Sequence, residues 1–93
     1  PINLATADVD GDGKEDVIVA NSTAATISVL RNTSTIGTIT LATKVDFTAG
    51  SNTQGVGVGD LNGDNKLDLI SVNNSANSIS VFRNTATSGT ITT

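Results

Sequence analysis

Ninety-three residues, 37% of them hydrophobic, with two aromatics (Phe47 and Phe82) and no Cys, Met, Trp, Tyr or His, allow one small domain with a thin core. A chain of this length buries only about 60 to 65% of the surface its unfolded form exposes, so apolar burial needs help from another source. Five basic residues against nine acidic ones give a net charge of −4, which argues against nucleic acid and anionic membranes as partners. The missing Cys and His remove disulfides, zinc sites and Ser-His or Cys-His chemistry.

The chain opens on Pro1 rather than Met, which reads as a processed or excerpted piece of a longer polypeptide, from which a signal peptide could have been removed. A strand is expected to enter an acidic loop, Asp8-Val9-Asp10-Gly11-Asp12-Gly13-Lys14-Glu15-Asp16. Val17-Ile18-Val19-Ala20 leaves it as a short β-branched strand, the longest fully apolar run and far too short to cross a bilayer. Thr26-Ile27-Ser28-Val29-Leu30 and Thr38-Ile39-Thr40-Leu41 alternate polar and apolar residues with period two, and are expected as the third and fourth strands around an Asn-Thr-rich turn. The chain continues through Lys44-Val45-Asp46-Phe47 to Gly50. Gly55-Val56-Gly57-Val58-Gly59 alternates with Gly on one face, where another backbone or a narrow channel has room to approach. A second acidic loop, Asp60-Leu61-Asn62-Gly63-Asp64-Asn65-Lys66-Leu67-Asp68, leads into Leu69-Ile70-Ser71-Val72 and then Ile79-Ser80-Val81. The last expected strand, Thr90 to Thr93, is cut partway and leaves an edge for another segment to pair. No stretch carries a sustained 3.6-residue apolar period.

These elements occur twice. Residues 1–41 set against 53–93, a shift of 52, give 19 identities in 41 pairs, concentrated in the acidic loops, in Ile27-Ser28-Val29/Ile79-Ser80-Val81 and in Arg31-Asn32-Thr33/Arg83-Asn84-Thr85. A repeat near 50 residues points to stacked supersecondary units, propeller blades among them. The fold expected is all-β: two tandem four-stranded antiparallel blades, 1–52 and 53–93, the second incomplete.

Seven of the nine acidic residues stand at the first, third, fifth or ninth place of the two loops. Calcium takes six to eight oxygens at about 2.3 to 2.6 Å, and alternate side chains converging in a tight loop supply them. In the first loop the ligands are Asp8, Asp10, Asp12 and Asp16 through their side chains and Lys14 through its carbonyl. In the second they are Asp60, Asn62, Asp64 and Asp68, with the Lys66 carbonyl. The helix-flanked twelve-residue calcium loop is the rival pattern, but it needs an acid at position 12, where Val19 and Ser71 stand. The bland alternative is a pair of Asp-Gly turns with solvated carboxylates. Magnesium fits less well, because it prefers six-coordinate sites that keep several waters. The ligand charges are −4 and −3, so two divalent cations bring the formal net charge from −4 to 0.

The stretch Gly57-Val58-Gly59-Asp60-Leu61-Asn62-Gly63-Asp64-Asn65-Lys66-Leu67-Asp68-Leu69-Ile70, with Asn73 and Ile79-Ser80-Val81-Phe82-Arg83-Asn84 after it, resembles the FG-GAP/VCBS repeat of integrin α-chain propellers and of many bacterial secreted and surface proteins. The equivalent stretch Ala7 to Arg31 resembles it as well, so the likeness covers nearly the whole chain. The resemblance implies one four-stranded blade per repeat, calcium between the first two strands of each, and roles in adhesion, recognition or scaffolding. The Phe-Gly and Gly-Ala-Pro signature that names the family leaves a trace only in Phe47 and Gly50. Two blades do not close a ring, since propellers use about four to eight. The blades are therefore expected to lean on further repeats of a longer chain or on copies of this one, and head-to-tail association that does not close makes a filament.

Asn21, Asn32 and Asn73 begin glycosylation triplets at expected turns. Arg31 and Arg83 share a repeat position suited to surface packing or an ion pair between blades. A glycosidase-like pair of acids is not available, because Glu15 and Asp46 alone lie outside the ligand positions. The expectation is a secreted or cell-surface, calcium-stabilised, non-enzymatic module for assembly, with recognition of an extracellular protein or glycan as the alternative.

Overall fold

The computed structural model describes residues 3–75 and 77–85. Strand β1 (Asn3–Ala7) runs into the first acidic loop, and β2 (Asp16–Asn21) returns antiparallel beside it, with Ala5 opposite Ile18 and Ala7 opposite Asp16. A four-residue loop, 22–25, built on a turn closed by Ala25 N–H and Ser22 O, turns the chain into β3 (Thr26–Leu30). Strand β4 (Val45–Thr48) completes the sheet, with Phe47 opposite Ile27. The order β1-β2-β3-β4 is a simple meander. Strands β5 (Thr53–Gly59), β6 (Asp68–Asn73) and β7 (Ser78–Phe82) form a second antiparallel sheet in the order β5-β6-β7. The chain is all-β, with no helix among the described residues.

The fourth strand lies further along than the alternation of Thr38 to Leu41 predicts. Residues 31–44 form an arm that leaves the sheet, held by local bonds such as Thr35 to Thr38 and Thr33 N–H to Thr40 O, with Gly37 (φ 83°) taking the left-handed position at its tip. Ile36 and Ile39 on the arm are fully exposed. Alternation alone did not make a sheet strand here, because no second layer covers the apolar side of the arm. Val45-Asp46-Phe47-Thr48 alternates equally well, and Phe47 has a core to enter. The expected strand Thr90 to Thr93 lies outside the described residues.

The core sits between the sheets. Directly paired residues share a face, so Ile18, Ala20, Ile27, Val29 and Phe47 form one side of the first sheet. Ile18, Ile27, Val29 and Phe47 meet Val56, Val58, Leu69 and Phe82 from the second sheet, with Val9 of the loop packed among them. Strand β5 lies against β1 and β2. The Phe47 and Phe82 rings, tilted at 47° with centroids 6.2 Å apart, join the two layers. Gly55, Gly57 and Gly59 point away from this core. Among the described residues an added Cβ at Gly57 or Gly59 would meet nothing within 4 Å, whereas at Gly55 it would reach Val72 at 3.8 Å.

Candidate metal centre

Each acidic loop is folded by its own carboxylates. Asp8, at the end of the β1 pairing, accepts N–H bonds from Gly11 (2.8 Å) and Asp12 (3.1 Å) on one oxygen and from Gly13 (2.8 Å) on the other. Asp10 accepts the Asp12 N–H, and Asp12 accepts the Lys14 N–H. Asp16, the first residue of β2 and fully buried, accepts from Val9 N–H at 2.9 Å and from Asn32 N–H at 2.8 Å. The second loop reproduces the pattern 52 residues on. Asp60 gathers the N–H groups of Gly63, Asp64 and Asn65, Asn62 accepts from Asp64, Asp64 accepts from Lys66, and Asp68 accepts from Leu61 and Asn84.

The backbone needed for these bonds explains the loop residues. Gly11 and Gly63 sit at φ 78° and 79°, where a side chain costs about 1 kcal/mol or more. Gly13 is at φ 88° and its counterpart Asn65 at 66°, Asn being among the few other residues that tolerate this region.

The carboxylates converge. One oxygen from each of Asp8, Asp10 and Asp16 lies within 4.8 Å of the others, and the same holds for Asp60, Asp64 and Asp68. Ligands on a calcium ion at about 2.3 to 2.6 Å are separated by at most about 5 Å, so both clusters fit one such ion. The donor set is entirely oxygen. Asp12 stands outside the first cluster, whereas its counterpart Asp64 is inside the second. Asn62 places an amide oxygen where Asp10 has a carboxylate. Lys14 and Lys66 enter through their N–H groups, which hold Asp12 and Asp64 in place.

N–H donation from Asn84 first, then from Leu61, holds the Asp68 carboxyl below the usual carboxylate range, with the Arg83 charge adding to the effect. Burial of Asp68 works in the opposite direction, and the two N–H bonds outweigh it.

Two residues outside the loops complete them. Asn32 and Asn84, equivalent by the repeat, each bind the closing aspartate through their N–H and the preceding residue's carbonyl through Nδ2, at 2.8 Å to Glu15 O and 2.7 Å to Leu67 O. Asn84 Nδ2 also donates to Val9 O of the first loop at 2.7 Å, which fastens one unit to the other. The identity of Arg-Asn-Thr in both repeats was the available signal.

The three asparagines that begin glycosylation triplets are held by the same kind of contact. Asn73 is 1% exposed, and its Nδ2 donates to Ser78 and Ser80 hydroxyls while its Oδ1 accepts from Thr53 and Ser71. Asn21 Nδ2 is likewise held by Thr26 and Ser28, and Asn32 Nδ2 by Glu15 O. Arg31 and Arg83 make no ion pair among the described residues, where Lys44 and Asp46 form one at 2.6 Å.

A family model described as FG-GAP-like repeat matches residues 8–71. No curated protein and no solved structure matches the chain.

Proposed function

The chain belongs to the FG-GAP-like repeat family, and on that premise we propose that it is a calcium-binding structural module of an extracellular or cell-surface protein, used for scaffolding and assembly. The observation that carries this reading is the pair of loops with the same hydrogen-bond pattern and the same convergence of acids. Asp8, Asp10 and Asp16 would hold one ion and Asp60, Asp64 and Asp68 the other, with Asp12, Asn62 and the Lys14 and Lys66 carbonyls completing the two shells. A bound ion supplies positive charge where the like charges of the loop otherwise repel. This chain's own residues shape the site, since the glycines and Asn65 turn the backbone and the buried closing aspartates tie each loop to its sheet.

Calcium then supplies stability that a core of few large side chains lacks. At a free concentration a hundredfold above the dissociation constant, each ion adds about 2.7 kcal/mol. That is a large share of the total for a small domain. Thermal unfolding with calcium and with excess chelator tests this, and melting curves that coincide would overturn it.

A second reading, recognition of an extracellular protein or glycan, is favoured by the arm at 31–44, whose exposed Ile36 and Ile39 offer an apolar tip.

A further inference from the structure

The interface between the two units has repeat-equivalent counterparts among the exposed residues. On the inner face of the first sheet Ala20, Ile27 and Val29 are fully buried, and Ile27 and Val29 share a core cluster with Leu69 of the second unit. Their counterparts by the 52-residue shift are Val72, Ile79 and Val81, which are 51%, 64% and 55% exposed. The second unit receives the first through Val56, Leu69 and Phe82. The counterparts of these are Leu4, Val17 and Leu30, of which Leu4 is 65% exposed and the others half-buried. Among the described residues, a second copy of each side of this interface is therefore left largely exposed. The two faces lie on opposite outer sides of the stacked sheets, so one chain cannot close them on itself.

The loops follow the same rule. Val9 is 5% exposed because the second unit covers the first loop, and Asn84 reaches its carbonyl. Leu61, its counterpart, is 57% exposed. Asn32, the counterpart of Asn84, is partly exposed, and of its two amide protons Glu15 O takes one. The glycine face of β5 also finds a use. Strand β5 packs on the small Ala5 and Ala7 face of β1, and the counterparts of those alanines are Gly57 and Gly59, above which space is open.

We infer that a second copy of this chain docks head to tail on the first, with its Leu4, Val17 and Leu30 on Val72, Ile79 and Val81 and its Asn32 bonded to the Leu61 carbonyl. The arrangement is heterologous, and each added copy presents the same free faces again. It rests on the assembly role proposed above and gives that role its surfaces. Because Leu61 lies between the ligands Asp60 and Asn62, calcium orders part of the docking surface, and association strengthens with calcium. The net charge of −4 opposes association, which the apolar faces and the neutralising ions offset.

The test uses sedimentation velocity of the intact chain in calcium at rising protein concentration, with Leu4→Asp and Ile79→Asp as face variants. Both positions are mostly exposed, and calcium-binding stoichiometry measured on each variant checks that it is folded. Wild-type protein is expected to associate progressively and each variant alone to remain monomeric. Their equimolar mixture is expected to stop at a dimer, since one intact face of each kind remains. Asn32→Ala should weaken association about tenfold. Wild-type protein that stays monomeric with both calcium sites filled overturns the inference, as does either variant forming dimers alone, which would mean like faces pair. Failure of calcium to bind would instead overturn the metal reading, and association read through the two variants would stand apart from it.

Discussion

Replacing Asn84 by alanine should cost far more than the same change at Asn32, although the two occupy one repeat position. Both keep the backbone N–H that binds the closing aspartate, so the difference lies in the side chains. Asn84 is 2% exposed and donates at 2.7 Å to both Val9 O and Leu67 O, so its loss leaves two acceptors short of a partner in a buried setting. Two net bonds plus that penalty amount to about 2 to 4 kcal/mol. For a domain of this size each kcal/mol moves the midpoint by about 4 to 8 °C, which gives a drop of roughly 8 to 32 °C. Asn32 loses its bonds to Glu15 O and Ser34 N–H where water replaces them, for about 0.5 to 1.5 kcal/mol. Calorimetric melting of both variants in saturating calcium, at dilutions where the chain is monomeric, measures the contrast. An Asn32→Ala midpoint as low as that of Asn84→Ala would refute the claim that Asn84 fastens the units together.

Further changes follow from the same geometry. Gly50→Ala would place a Cβ 2.7 Å from Asn73 Cγ and Nδ2, inside a buried, fully bonded amide, and should destabilise by about 1 to 3 kcal/mol in denaturant titration. Ala25→Asn should raise stability by about 0.5 to 1 kcal/mol in the same assay, because Ala25 sits at φ 56° and its counterpart is Asn77, at φ 49°. Asp46 is held below the usual carboxylate range by its bond from Lys44, then by that from Ser28. Its contribution is complete above the unfolded value of about 3.9 and lost as pH falls through the lower folded value. In chelated protein, Asp46→Asn should therefore flatten part of the acid decline in melting temperature below about pH 4, leaving the neutral range with a lower, pH-independent midpoint.

The repeat, the strand class and the loops were readable because their causes are local. Asp8 binds N–H groups three to five residues away, and the glycines that permit this stand beside it in sequence. Strand β4 was not readable from alternation, since Thr38 to Leu41 and Val45 to Thr48 share the pattern and only the presence of Ile27 opposite Phe47 separates them. The role of Asn84 depends on a carbonyl 75 residues away, and nothing in the Arg-Asn-Thr triplet encodes that distance. Asn73 illustrates the same limit. Its triplet has the form of a surface modification signal, but two strands and a glycine enclose it. Phe47 and Gly50, a faint trace of a family signature in the sequence, prove to be contacts with Phe82 and Asn73 in the other unit.

Calcium stoichiometry tests the central claim most directly. Calorimetric titration of the chelated chain should show two ions bound per chain, one after Asp8→Asn or Asp60→Asn, and none after both changes. Magnesium should bind more weakly at each site. A chain that binds no calcium, or whose double variant binds as the wild type does, would contradict the account.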